Sequence, residues 1–378
     1  PMSMNPAAAR RGIGEFALLE KKHFPCASWN PSKKGGKMSE IRFPKHLVFA
    51  LVVLFIGSIA ITPVLGDKQD QRTFIFKTGD ESNPLSLPEL MNERNSLVES
   101  YKSSAVLKGK GIGLGNPLVP ENTSVVAYGF TIDRKGIPHE MIAVSSGKTN
   151  STQLRKRADL WYNENILNPT LDGMAISSEG WPWVGAGVYY YEAYPYGLVE
   201  HNWEMYRNTY ETDPTKDYFA IKQIWSMDPG FRRWPGSKWL NNRGLSYVDW
   251  ALINTFGNPA LHDRDPLGTK TGPTTVSVSL NPAPSLSWSF PLNAITIYDQ
   301  SDPVIKRAQW DYAFNTPEVK NTIQGWEPGS SASMNQHSSG QYNLAYLYAQ
   351  GEFIEPTTWP NYQYCYVYTY WNTWFEYW

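Results

Sequence analysis

Glu192, Glu200 and Glu204 lie within 13 residues of one another in a stretch dense with Trp and Tyr. A glycoside-cleaving site needs such a set: one carboxylic acid protonates the leaving oxygen while a second carboxylate, roughly 5–10 Å away, acts as nucleophile or base. Sequence spacing does not fix that separation, and solvated strand or turn positions are the simpler reading of all three. Asp263 and Asp265 in His262-Asp263-Arg264-Asp265, with Asp299 and Asp302 in Asp299-Gln300-Ser301-Asp302, offer oxygen ligands suited to Ca2+. Neither run matches the calcium-loop pattern, so turn and capping roles compete with the metal, and no other cofactor is indicated. Other chemistries are poorly served. There is no Gly-x-Ser-x-Gly elbow, His139, His201, His262 and His337 lack zinc-ligand spacing, and Ser146-Gly147-Lys148-Thr149 has Ile142 where a phosphate loop needs its first glycine.

Aromatic side chains form the second candidate set. Tyr362, Tyr364, Tyr366, Tyr368 and Tyr370 alternate with Gln363, Cys365, Val367 and Thr369, so a strand's period of two puts the five rings on one face. Such a face either binds, as a stacking platform or an interface, or packs as the inner side of a sandwich or a cross-strand ladder. Packing is the expectation, with the strand paired and at least half buried, because a bare apolar edge invites association. Trp181, Trp183, Tyr189, Tyr191, Tyr194 and Tyr196 admit the same two readings. If aromatics bind a ligand, Trp181, Trp183, Tyr189, Tyr191, Tyr364, Tyr366 and Tyr368 are the candidates, and Cys365 reads as structural.

These side chains must be held by strands more than by helices. The chain carries 16 Trp, 23 Tyr and 15 Phe with 28 Pro and 29 Gly, a mixture that favours strands and turns. One helix is expected from Leu87 to the Gly-rich segment Gly109–Gly115, and a second from Gln153 to Leu167 before Pro169. Ser124–Asp133 and Ile137–Ser146 around Arg134-Lys135-Gly136 read as a hairpin. Beyond the small polar link Gly268–Pro273, seven short strands are expected: Thr274–Leu280, Ser285–Phe290, Ala294–Tyr298, Ile305–Phe314, Thr322–Trp326, Tyr342–Ile354 and Tyr362–Trp371. The fold class is therefore mainly β with minor α. An aromatic-rich α+β region, 122–271, precedes a C-terminal antiparallel sandwich or barrel-like domain, 272–378.

Leu47 to Ile61 is a run of 15 uncharged residues behind Arg42, Lys45 and His46. Small residues at Val64 and Gly66 place signal-peptide cleavage before Asp67. A retained anchor is the alternative, although crossing the hydrocarbon core takes about 20 apolar residues. Lys33–Met38 can be encoded by a purine-rich ribosome-binding sequence ahead of a start codon. Residues 1–37 then read as a non-native or untranslated leader, 38–66 as the signal peptide of a prokaryotic gene, and 67–121 as a polar lead-in. With Cys26 removed, Cys365 would have no internal partner and the body would be free of disulfides. Asn122 and Asn150 head Asn-x-Ser/Thr acceptor sequences for glycans.

The 34 basic and 35 acidic residues balance, and nucleic acid is not an expected partner. The sequence thus describes a secreted or cell-surface protein that binds polysaccharide or a cell-surface protein through aromatic surfaces. The alternative is an extracellular polysaccharide hydrolase, a glycosidase working through paired carboxylates. Membrane contact is expected only through an uncleaved signal segment.

Overall fold

The computed structural model describes residues 74–103, 111–147, 151–167, 180–356 and 362–378. The leader, the signal segment, Cys26 and Asn150 lie outside the described residues. Strands are numbered along the chain. One sheet has nine: β1 (Phe74–Thr78), β3 (Ser124–Ile132), β4 (Pro138–Ser146), β5 (Trp183–Ala193), β6 (Gly197–Arg207), β7 (Lys216–Pro229), β16 (Gly329–Asn335) and β9 (Ala260–Asp265) in spatial order, with β15 (Gln324–Trp326) beside β7. A second has seven: β10 (Thr269–Thr271), β13 (Ile295–Asp299), β14 (Arg307–Phe314), β8 (Leu240–Asp249), β17 (Gly340–Glu355), β18 (Gln363–Tyr377) and β2 (Gly111–Leu118). β11 (Thr274–Leu280) and β12 (Leu286–Leu292) pair only with each other. The protein is mainly β with minor α, and among the described residues no sheet closes into a barrel.

The two large sheets pack face to face because one side of each strand carries the bulk. Trp203 meets Trp371, Phe219 meets Phe375, and Trp225 meets Tyr312, with ring centroids 5.0 to 5.8 Å apart. Polar groups cross this core too, among them the Tyr377 hydroxyl, which donates to Asp217, and a histidine. His201 is fully buried, with Nδ1 3.0 Å from the Thr369 hydroxyl and Nε2 3.1 Å from the Gln223 amide, which also donates to the Tyr247 carbonyl. Burial pushes the imidazole down to about 3, so it is neutral and accepts from Gln223 while donating to Thr369.

Strands from both sides of the 268–273 link share both sheets: β16 pairs with β7, and β8 lies between β14 and β17. The stretch expected to be a lead-in belongs to the core. It supplies β1, β2 and helix α1 (Leu87–Ser103), whose Leu90, Leu97 and Val98 are buried. α1 also buries Arg94, which donates to the Gly115 carbonyl in β2 and to Glu140 in β4, tying the helix to both sheets. The second expected helix is α2 (Thr152–Tyr162), continued by a π turn, Asn163–Leu167. All seven strands expected after the link form; β16, whose Gly-Ser-Ser-Ala-Ser run lacks strand-prone residues, was not anticipated. No cysteine is free among the described residues, and Cys365 is disulfide-bonded.

Candidate functional site

The outer face of the nine-stranded sheet has two covers. α2 lies over one half, pressing Leu154, Ala158 and Trp161 against Val126, Met141, Ala143, Tyr190 and Leu198. The β11–β12 hairpin lies over the other. Val276, Val278, Leu280, Leu286, Trp288, Phe290 and Leu292 are all buried, and the residues between them, Thr275, Ser277, Ser279, Ser287, Ser289 and Pro291, are all exposed. This is a strict period of two with one wholly apolar face and one face of small hydroxyls. The 28 residues from Thr271 to Tyr298 contain no Asp, Glu, Lys, Arg or His.

The hairpin is the far part of a longer ribbon. β10 and β13 pair in three rows at the edge of the seven-stranded sheet; past a neck at Gly272 and Asn293 the same two chain segments pair in seven more rows as β11 and β12. The neck is tight: a Cβ at Gly272 would lie 1.6 Å from the Asn293 carbonyl oxygen, so only glycine fits. Beyond it the ribbon crosses from the edge of one sheet onto the back of the other.

Its seat is partly polar. The Trp288 ring covers Gly329 and sits 5.4 Å from the Lys222 ammonium, and its indole N–H donates to the Glu327 carbonyl at 2.8 Å. Lys222 pairs with Glu327 at 2.7 Å, next to Glu204 on β6. At the tip, Trp181 donates to the Pro284 carbonyl and Ser331 to that of Asn281. The outer edge of β11 finds no strand among the described residues. Instead Asp265 accepts the Ser279 N–H at 3.1 Å, and Asp263 accepts both the main-chain and the side-chain N–H of Asn281 at 3.1 and 2.8 Å.

Asp263 and Asp265, read from sequence as possible Ca2+ ligands, therefore sit as fasteners of the hairpin edge. Asp299 accepts from the Ser301 N–H, and Asp302 from the Val304 N–H, as turn formers do. Among the described residues no group of three or more His, Cys, Asp and Glu is placed to hold a metal ion. The three glutamates share the outer face with the hairpin and α2, each engaged by its own partner: Glu192 by Arg233, Glu200 by Arg157, and Glu204 by the Tyr206 hydroxyl at 2.6 Å. Burial raises Glu192 and Glu204 above the usual carboxylate range, against the pull of Arg233 and Lys222 respectively. Trp181, Tyr189 and Tyr191 are buried and Trp183 is half-buried, so most of that cluster's surface is used in packing. Asn122 is exposed in a turn at φ 59°.

The tyrosines of β18 do not face the core. Val367, Thr369, Trp371 and Phe375 do, because that set carries the wider apolar surface, and Tyr364, Tyr366, Tyr368 and Tyr370 point outward. Of the two packing readings the inner side of a sandwich does not hold and the cross-strand ladder does, with β18 paired on both sides by β17 and β2. Across the strands Tyr247, Tyr346 and Tyr348 join the row. Tyr247 and Tyr348 stack at 4.8 Å and 17°, and Tyr348 and Tyr368 at 6.4 Å and 17°. The rings use their faces on each other, with Tyr247 buried beneath the Arg307 guanidinium and the Tyr348 hydroxyl donating to Gln350 at 2.6 Å.

Sequence reasoning found the hairpin's strands but not their significance; the signal was local absence of charge, masked by an average of 18% charged residues. No protein-family model matches the chain, and no curated protein matches it. Among solved structures it is similar to the Clostridium perfringens NetB toxin in the membrane inserted form, at a TM-score of 0.25 and 6% identity over 47% of this chain and 88% of that one. A score that low carries no argument about fold or function.

Proposed function

We propose that this protein acts on lipid bilayers by releasing the β11–β12 ribbon and inserting it as a transmembrane hairpin. One observation carries the reading: a hairpin of seven paired rows with one apolar face and one Ser/Thr face, set in 28 residues without charge and lengthened to ten rows by β10 and β13, where Lys270 is the one charge. A transmembrane strand takes about 9–11 residues and alternates apolar toward lipid with polar toward a lumen. Among the described residues no helix is long and apolar enough to cross a membrane, which leaves strands unaddressed. A single inserted hairpin would hold two unpaired edges in hydrocarbon, where bare N–H and C=O groups are not tolerated. Hairpins from several copies therefore close on one another, and the product is a lumen lined by Thr and Ser.

The test is a latch. Cysteines at Asp263 and Asn281, whose side chains touch, should fasten the hairpin to β9 in D263C/N281C. Dye-filled phosphatidylcholine vesicles should leak with the wild type, stay sealed with the oxidised variant, and leak again on reduction; wild type with reductant controls for Cys365. Leakage from the oxidised, fully crosslinked variant overturns the proposal.

A second reading is favoured by the outward tyrosines. Recognition of polysaccharide or a cell-surface protein through aromatic side chains would use the hydroxyl comb of Tyr346, Tyr348, Tyr368 and Tyr370, and would serve to hold an exported protein at its target. Loss of polysaccharide retention in Y368S and Y370S, with vesicle leakage unchanged, supports it; unchanged retention removes it.

A further inference from the structure

The ribbon's direction selects one end of the sandwich. β10 runs into the neck, and β14 runs parallel to it and ends at Phe314, opposite Ile295 at the start of β13. β8 begins at the same end, where Leu240 pairs with Ile354 near the end of β17, and Ile354 pairs with Tyr364 at the start of β18. The nine-stranded sheet reaches the same end through Gly197, which packs under Phe353, and Pro229. Contacts join these pieces: Asn293 in the neck bonds to Gln324, Asn241 bonds to the Thr322 carbonyl, and the 230–239 loop bonds to Tyr196 and Pro195. A ribbon extended along its own strands leaves the body here and brings this end down to whatever it enters.

That end shows aromatic side chains to solvent. Tyr194, Phe231, Tyr362 and Tyr364 are exposed, Phe231 by 53% and Tyr364 by 51%. Trp234 stacks edge-on with Tyr194 at 5.3 Å beneath the Arg233 guanidinium. The opposite end exposes mainly aliphatic residues, Leu252, Leu267, Val304 and Ile305, with Tyr298 on β13 and Tyr210 after β6 as its rings. Tyr and Trp favour the lipid–water interface because the ring settles among acyl chains while the hydroxyl or indole N–H stays hydrated. Exposed charges at the aromatic end are of both signs, with Arg232 and Lys238 against Glu318, so attraction to an anionic surface is not what the patch is built for.

We propose that the neck end, centred on Tyr194, Phe231 and Tyr364, is the surface that docks on the interface of a zwitterionic bilayer before the hairpin is released. This rests on the reading of the ribbon as membrane-inserting, and it separates docking from insertion. The probe is flotation with phosphatidylcholine vesicles of the oxidised D263C/N281C protein, in which insertion is blocked. The latched protein should float with the vesicles, and adding about 0.5 M NaCl should change nothing, because screening acts on charge and not on ring burial. In the same background, replacing Tyr194, Phe231 and Tyr364 by Ser should weaken binding at least about tenfold, and Y364S alone should weaken it in part. L267S/V304S/I305S at the far end should bind as its parent does. Undiminished binding of the neck-end variant, loss of binding in the far-end variant, or release by salt overturns the proposal. The two ideas fail separately: vesicle binding without leakage on reduction removes insertion and leaves docking, whereas leakage by the reduced neck-end variant at wild-type concentration removes docking and leaves insertion.

Discussion

The two covers of the nine-stranded sheet both bury an apolar face, three residues on α2 and seven on the hairpin, and differ most in what they show to water. α2 turns Lys156 and Asp159 outward and closes its backbone hydrogen bonds within itself. The hairpin turns out Thr, Ser and Pro, and its outer edge is satisfied by two borrowed carboxylates. Carrying α2 into lipid would take charges with it, at about 2.5–3.5 kcal/mol or more apiece; carrying the hairpin takes none. Burial therefore does not distinguish a permanent cover from a releasable one. The exposed side chains do.

The largest expected contrast is between removing a strand and removing the cover. Deleting residues 362–378 takes out β18, strips β17 and β2 of a partner and should abolish soluble expression. Replacing residues 274–292 with a short Gly-Ser link should leave a soluble body with a cooperative thermal transition. An insoluble hairpin-less body, or a soluble and cooperatively melting C-terminal deletion, breaks the distinction. Next comes the helical cover. Trp161 lies so close over Gly129 that a Cβ there would meet the ring at 2.2 Å, and W161A should lose about 3–5 kcal/mol in urea unfolding. A loss below about 1 kcal/mol would show that the cover is not fixed by this contact.

Charge placed on the hydroxyl face sharpens the comparison further. Ser287 is exposed, so S287K and S287D should change stability by no more than about 0.5 kcal/mol. If that face lines a lumen, planar-bilayer conductance should turn anion-selective with Lys and cation-selective with Asp; identical reversal potentials refute the assignment of faces. A smaller effect belongs to the tyrosine row, where Y348A removes stacking on Tyr247 and Tyr368 and should cost about 1 kcal/mol.

The smallest is a pH slope in hairpin docking. Burial raises the Glu204 carboxyl, with Lys222 and the Tyr206 hydroxyl pulling it down and Glu327 and His139 acting more weakly in opposite senses. A carboxyl that holds its proton more tightly when covered favours the covered state in acid. That advantage fades as pH rises from the ordinary carboxylate value through the raised one. Amide exchange in 274–292, corrected for intrinsic rate, should speed up across that window in the wild type and stay level in E204Q. Exchange that slows as pH rises reverses the sign and refutes the role of Glu204.

Local signals in the sequence located much of the fold. The periodicity around Leu90, Leu97 and Val98, the turn at Arg134-Lys135-Gly136 and the alternation in 274–290 each named an element correctly. What they did not carry is which elements meet. The link at Gly268–Pro273 looks like a domain boundary because small polar residues mark boundaries and necks alike; only pairing of β16 with β7 and of β8 with β17 shows it to be a neck. Alternation also leaves the sense of a strand open. Five tyrosines and the set Val367, Trp371 and Phe375 are both credible inner faces, and the choice was made by Trp203 and Phe219 across the core. Of the roles open to the acidic pairs, the turn role was legible, since Asp265 accepts the Leu267 N–H and Asp299 the Ser301 N–H; the hold on Ser279 and Asn281, 14 and 18 positions away, was not.

The pairing of β2 with β18 has a consequence for how the molecule is made. Leu118 lies opposite Tyr370, so the seven-stranded sheet joins segments far apart along the chain. A chain emerging in order leaves β2 without its partner strand until β18 has followed. Loop-closure entropy for such distant pairing has to be met before any contact rewards it, which makes folding slow and late. Assembly of the seven-stranded sheet is thus timed by the arrival of β18.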